Sequence, residues 1–330
     1  MTQGPQEAHS GTAPVLGLDL GGTSIKWVTL ADGQVIRKGR VPTPDTGVDD
    51  VLRALAGVAA EVPEAWAIGV AAAGALDPVS GRLLVVPNIA GDWATRAVGA
   101  ELADATGRPV HLANDARAFA YGQLRHGEAA GAADAIFVTL GTGIGGAIAS
   151  DGELRMGRAR RGGEIGHMPV EPLDGRKCGC GSVGCLETIV GGRALSELGA
   201  DLVRTGAAPA LAAAVDGRPD AVEPADVVRL ADVEPACGRL VARAGHALGV
   251  ALASLTNALA PEVIVVGGGV AAGLPAFRPY IDEIMSRYTV LVETPRIATA
   301  MDGHAGAVGA AAWAADPPAG YPAPIRPAGQ

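Results

Sequence analysis

The chain has 330 residues, 48% of them hydrophobic and 18% charged, a globular balance that excludes an intrinsically disordered protein. Its formal net charge is −9 and aromatics make up 3%, which excludes a general nucleic-acid binder working by phosphate neutralisation or base stacking. The length corresponds to about two domains.

Residues 1–14 are small and polar, without the positive segment and apolar run of a secretory signal, and read as a disordered N-terminus. Val15–Leu20 is an apolar run ending in Gly21-Gly22-Thr23, and a second run, Ile25–Leu30, follows. This predicts strand, glycine turn, strand, with Asp19 at the end of the first strand. Val51–Glu61 has helical periodicity, and Trp66–Ala72 reads as a buried strand. Val110–Ala113 is a further strand ending at Asn114-Asp115, before a helix over Ala116–Arg125. Ala135–Leu140, a turn over Gly141–Gly146 and the run Ala147–Ala149 repeat the opening unit about 120 residues later. Residues 186–256 are Ala-rich and helical in pattern. Ala247–Val270 is the most membrane-like stretch, but Asn257, Pro261 and Glu262 interrupt it. It reads as a buried helix, then a strand over Glu262–Val266 leading into Gly267-Gly268-Gly269. Ala305–Ala315 predicts a last helix, and the Pro-rich tail 316–330 reads as disordered. Alternating strands and helices define an α/β fold, and the repeated unit implies a duplicated domain.

Glycine lets backbone amides approach an anion closely. One glycine turn alone could be an ordinary hairpin. Two matched turns and a third cluster, Gly267–Gly269, point to a polyphosphate cradle. Neither turn is a Walker loop, since no Gly-Lys-Ser/Thr follows; Lys26 comes four residues after Gly22, on the second strand. His167 with Cys178, Cys180 and Cys185 supplies one imidazole and three thiolates, a set that suits tetrahedral Zn²⁺ and closes the site to catalysis. The close cysteine spacing favours metal over disulfides, in keeping with a reducing cytoplasm, while Cys237 reads as a core residue.

In these residues the chain resembles the ROK family (repressor, open reading frame, kinase), and most closely its bacterial sugar kinases of the glucokinase type. The resemblance runs from about Val15 to Trp313. It is carried by Asp19-Leu20-Gly21-Gly22-Thr23, Leu112–Ala116, Leu140–Gly146, Gly163-Glu164-Ile165-Gly166-His167, Cys178–Glu187 and Asn257–Gly269. It implies an actin-like fold (hexokinase-like, ribonuclease H-like): two duplicated α/β domains with a central cleft. The expected division is a small domain over 15–113, completed by the C-terminal helix 303–315, and a large domain over 114–302 carrying the zinc loop 163–187. By the family pattern, Asp19, Gly21, Gly22, Thr23, Lys26, Thr139, Gly141, Thr142, Gly143 and Gly145 would serve the phosphates of ATP. Gly267, Gly268 and Gly269 would face the adenosine, and Asp19 would help hold Mg²⁺. Asn114 and Asp115 would hold the sugar, Asp115 as base. Glu164, His167 and Glu187 would grip further hydroxyls, and the loop carrying Gly74 would lie near the sugar. Asn88 is a further candidate sugar contact or a turn residue, and Trp93 is placed near the cleft. On local sequence alone Asp115 reads equally as the N-cap of the following helix.

The chain departs from the family pattern in three places. It has Ala71-Ala72-Ala73-Gly74 where Pro often precedes the glycine, Arg117 after the Asn-Asp-Ala triplet, and Ser182-Val183 in the zinc loop. The implied activity is transfer of the γ-phosphoryl group of ATP to the 6-hydroxyl of a hexose, with glucose first. N-acetylmannosamine, N-acetylglucosamine, fructose and allose are alternative sugars, polyphosphate is an alternative donor, and a non-catalytic sugar sensor is an alternative role. Residues 1–14 are not expected to form the helix-turn-helix that a repressor of the family would carry. The family implies a homodimer or homotetramer, with no nucleic-acid or membrane partner.

Overall fold

The computed structural model describes residues 13–329 except Pro78, Asn88, Leu291, Val292 and Met301. The expected disorder of residues 1–14 therefore lies almost wholly outside the described residues, as does the sugar contact expected of Asn88. The chain forms two compact units. One runs through Ala130 and takes the chain back from His304; the other is Gly131–Gly303.

The first unit contains β1 (Val15–Leu20), β2 (Ser24–Ala31), β3 (Gln34–Pro42), α1 (Val48–Ala60), β4 (Ile68–Ala72), a hairpin of β5 (Ala75–Asp77) and β6 (Arg82–Val85), α2 (Val98–Thr106), β7 (Val110–Asn114) and α3 (Asp115–His126). Its main sheet has the order β3-β2-β1-β4-β7. β2 is antiparallel to β1, whereas β4 and β7 run parallel to it. Alternation along β1 decides what each face covers. Leu16, Leu18 and Leu20 are buried with Val51, Leu55 and Val58 of α1 and Val98 and Leu102 of α2. The apolar positions of α1 fall at helical spacing, which is why it lies flat on this face. The opposite face presents Gly17 and Gly69, where a Cβ would come within 2.0 Å of the Ala307 carbonyl oxygen and 1.8 Å of that of Ala310. Only bare backbone lets the helix that carries these alanines settle so closely.

The second unit contains β8 (Ala135–Leu140), β9 (Ile144–Ser150), β10 (Glu153–Leu154), α4 (Glu187–Val190), α5 (Gly192–Arg204), α6 (Pro209–Ala214), α7 (Pro224–Arg229), α8 (Pro235–Leu259), β11 (Val263–Gly267), α9 (Leu274–Tyr288) and β12 (Arg296–Ala300). Its sheet order, β10-β9-β8-β11-β12, repeats that of the first unit position for position. β9 is again antiparallel to the first strand, and β11 and β12 are again parallel in series. The predicted duplication is thus present in strand order and direction. β9 starts at Ile144, earlier than the expected Ala147, because Gly141–Gly143 suffices to reverse the chain: the Gly141 N–H donates to the Gly143 carbonyl at 3.0 Å. Cys237 is buried in this unit's core, as its sequence reading requires.

The chain re-enters the first unit with α10 (Ala305–Ala315), the helix seated on Gly17 and Gly69. Two expectations change here. The boundary falls after residue 130, and not after 113, because α3 packs on α10, with Gly122 against Gly309. The Pro-rich tail is ordered: Ile325 exchanges both backbone hydrogen bonds with Val110, and the Tyr321 hydroxyl donates to the Leu112 carbonyl at 2.7 Å. Trp93 is a core residue whose indole N–H donates to the Ile89 carbonyl. Among the described residues no helix is long and apolar enough to cross a membrane.

Candidate active site

In the first unit, the parallel strands β1, β4 and β7 end side by side, with Leu20, Ala72 and Asn114 in register. Ligands of open α/β sheets collect at such strand ends. Asp19 lies one residue before that row, directly opposite Lys26 on β2. Asp19 faces α10, where a Cβ on Gly306 would lie 2.7 Å from its Oδ2. Burial pushes its pKa up to about 6, the negative charge of Asp115 adds to the rise, and Lys26 opposes it. The turn after it is braced by Thr43, whose hydroxyl donates to the Gly21 carbonyl at 2.6 Å and whose N–H donates to the Thr23 carbonyl. Thr43 carries no sequence signal, because nothing local ties it to a turn some twenty residues earlier. Within the turn the Gly21 N–H is spent on the Ser24 carbonyl, while those of Gly22 and Thr23 donate to no described residue.

Asn114 caps α3, its Oδ1 accepting the Arg117 N–H at 3.3 Å. Its Nδ2 donates to Asp115 Oδ1 at 3.0 Å and points at the Gly74 carbonyl at 3.4 Å. The Ala116 N–H also donates to Asp115 Oδ1, at 2.9 Å, so Oδ2 takes no hydrogen bond from another described residue. Burial raises the Asp115 pKa, and the bond from the Ala116 N–H opposes the rise. Gly74 holds its place by necessity. At φ +92° its Cβ would lie 2.1 Å from the Val85 carbonyl oxygen.

The second unit builds the same kind of turn. The Gly141 N–H is spent on Gly143, the Ile144 N–H donates to Glu187 Oε2 at 2.8 Å, and those of Thr142 and Gly143 donate to no described residue. Each turn thus leaves two adjacent amides for an anion, the local requirement for cradling phosphate. Thr139 stands beside both Gly145 and Gly267 in the sheet, so the third glycine cluster starts at the same strand ends. Gly268 follows at φ +95°. Glu164 opens the single turn Ile165–His167, with the His167 N–H on its carbonyl at 3.1 Å. Glu187, expected on a sugar hydroxyl, has one carboxylate oxygen on the Gly141–Ile144 turn.

His167, Cys178, Cys180 and Cys185 bring one ligand atom each to within 4.8 Å of one another. The Cys180 and Cys185 sulfurs are 3.7 Å apart, and Cys178 Sγ is 3.6 Å from His167 Nδ1. A tetrahedron with Zn–S of about 2.3 Å has edges of about 3.8 Å, so the donor set and spacing fit Zn²⁺ with no fifth position.

Residues 15–317 match the ROK family model. The chain is 33% identical to the glucokinase of Thermotoga maritima, over 90% of this chain and 96% of that one. It is 29% identical to an N-acetylmannosamine kinase of Haemophilus influenzae, over 91% and 95%. Among solved structures it is similar to a ROK hexokinase from Thermus thermophilus, with TM-score 0.76 and 37% identity over 92% of this chain and 98% of that one. It is similar also to a ROK glucokinase from Streptomyces griseus in complex with glucose and AMPPNP, with TM-score 0.78 and 32% identity over 92% and 99%. The duplicated fold is therefore the actin-like, hexokinase-like one, and the chain belongs to the ROK family. Within it, the chain is an ATP-dependent sugar kinase.

Proposed function

We propose that this chain phosphorylates the 6-hydroxyl of a hexose, glucose before others, with Asp115 as the general base. The observation that carries the proposal is the division of labour between two neighbours. Asn114 caps α3, so Asp115 keeps Oδ2 for a substrate proton. A sugar hydroxyl is a poor nucleophile, and a carboxylate in hydrogen-bond reach accepts its proton as attack proceeds. Asn114 Nδ2 and the Ala116 N–H stabilise the ionised form of that carboxylate, against the burial that opposes it. The free amides of Gly22, Thr23, Thr142 and Gly143 hold phosphate oxygens and fix them for transfer. Asp19 and Lys26 stand opposite each other at the phosphate end, and Asp19 would help hold Mg²⁺ through its waters. Bound there, Mg²⁺ would supply charge neutralisation on the transferring group. Gly267–Gly269 take the adenosine side, and Gly74, Asn88, Glu164, His167 and Glu187 take sugar hydroxyls. Glucose is placed first because identity to glucokinases exceeds that to N-acetylmannosamine kinases.

A coupled assay over a panel of sugars, with ATP and then polyphosphate as donor, tests the reading. Phosphorus NMR of the product reads the position of transfer. ATP-dependent turnover of glucose to a 6-phosphate is expected. Preferred turnover of an N-acetylated sugar would move the substrate, and sugar binding without any turnover would make the chain a sensor.

A further inference from the structure

Glu187 is two residues past the metal-cluster residue Cys185 and is the first residue of α4. Its Oε2 accepts the Ile144 N–H at 2.8 Å, and a Cβ on Gly143 would stand 2.2 Å from that same oxygen. The chain just beyond returns to the turn twice. The Gly192 N–H donates to the Gly141 carbonyl at 2.9 Å, and the Arg193 N–H to the Thr142 carbonyl at 3.0 Å. On its other side this segment is tied to the cluster. The Thr188 N–H and hydroxyl both donate to the Cys185 carbonyl, and the Leu186 N–H donates to the carbonyl of Met168, the neighbour of His167. A turn containing Gly141 and Gly143 has little conformational preference of its own. Unbraced, it would present the Thr142 and Gly143 amides in many directions and lose the preorganisation that anion binding needs.

We propose that Glu187 is a positioning residue for the phosphates of the nucleotide: it locks the Gly141–Ile144 turn, and the four-ligand metal cluster anchors it through Cys185. This role is separate from any grip on sugar and rests on reading the turn as a phosphate cradle. Zn²⁺, where bound, then has a second effect beyond holding its own loop, since it fixes the base from which Glu187 reaches the turn.

The experiment measures affinity for Mg·AMPPNP by calorimetry with no sugar present, alongside hydrogen exchange at the Ile144 amide. Glu187→Ala is expected to weaken nucleotide binding at least tenfold and to speed Ile144 exchange. Glu187→Gln, which keeps an acceptor oxygen, is expected to stay within about threefold of wild type. Gly143→Ala is expected to weaken binding as Glu187→Ala does, with Glu187 intact, and it serves as the test if Glu187→Ala fails to fold. Stripping the metal with a chelator is expected to raise exchange at Ile144. Wild-type affinity in folded Glu187→Ala or Gly143→Ala overturns the positioning role alone. A wild-type protein that binds no nucleotide overturns both this role and the phosphate reading of the turn.

Discussion

Asn114 and Asp115 divide one helix start between them. Asn114 Oδ1 accepts the Arg117 N–H as the cap, and its Nδ2 holds Asp115 Oδ1 at 3.0 Å. Either residue type could cap, and the one that does leaves the other for chemistry. Asp115→Asn is therefore expected to lower kcat by about 10²–10⁴-fold, the usual worth of a general base. The melting temperature should hold or rise, since a buried carboxylate is removed. Turnover near wild type in folded Asp115→Asn would remove Asp115 from the mechanism. Asn114→Ala is expected to cost about 1 kcal/mol of stability through the lost cap. It should also lower kcat, because Asp115 loses the amide that orients it.

The metal cluster makes a second prediction. Purified protein should carry one Zn²⁺ per chain by elemental analysis. Cys178→Ser and Cys185→Ser should each release it, because both thiols are buried members of a closed set. Cys237→Ser should leave the zinc content unchanged, since that thiol lies in the core and outside the cluster. Metal-free protein should bind sugar more weakly, because His167 and the loop holding Glu164 lose their anchor. Equal sugar affinity with and without metal would separate the cluster from the sugar site.

Much of this was legible from the chain alone, and the limits have physical causes. Paired glycine turns and buried apolar runs are strong local signals, so β1, β2, β4, β7, β8, β11 and α10 stand out. β3 escaped because nearly all its residues are exposed, leaving no alternation to read. β5 and β6 are too short for a pattern. The metal ligands could be read because Cys and His are rare and their spacing is informative. Thr43 and the turn contact of Glu187 could not, because each is a tertiary contact whose partner lies at least 20 residues away. The tail misled because proline richness predicts disorder, yet prolines leave room for Tyr321 and Ile325 to dock.

Buried Asp19 and His111 act on the acid side of the stability profile with opposite signs. Asp19 has its pKa raised to about 6 by burial, above the value near 3.8 of an unperturbed aspartate. The folded state therefore holds this proton more tightly, and the stabilisation is complete below pH 3.8 and lost as pH rises through 6. His111 has its pKa lowered by burial to about 4, so protonation between pH 6.5 and 4 favours the unfolded chain. The two effects oppose each other across this window, and the raised pKa of buried Asp115 acts in the same direction as that of Asp19. Asp19→Asn should be more stable than wild type at pH 7 by about 1–3 kcal/mol, with the gap closing toward pH 4. His111→Gln should remove the acid-side loss. Denaturant midpoints at pH 7, 5.5 and 4 read both, and an Asp19→Asn protein no more stable at pH 7 would refute the raised pKa. Lost activity in that variant would mark Asp19 as a carboxylate kept for function at a cost in stability.

The C-terminal tail protects a sheet edge. β7 is the last strand of its sheet, and Ile325 pairs with Val110 through two backbone hydrogen bonds. Tyr321 packs edge-on against Trp313 with ring centroids 4.8 Å apart while its hydroxyl caps the Leu112 carbonyl. Open strand edges recruit other chains, and this tail covers one. Deleting residues 317–330 removes the partly buried Tyr321 and Ile325 side chains, the two Ile325–Val110 backbone bonds, the Tyr321 hydroxyl bond and the bond from the Ala328 N–H to Asp104 Oδ1, and is expected to cost about 2–4 kcal/mol. The shortened protein should also aggregate faster on heating, as followed by light scattering. Tyr321→Phe isolates the hydroxyl and should cost about 1 kcal/mol, since the ring contact with Trp313 survives. An unchanged melting temperature in the deletion would show that the tail contributes nothing to the stability of this unit.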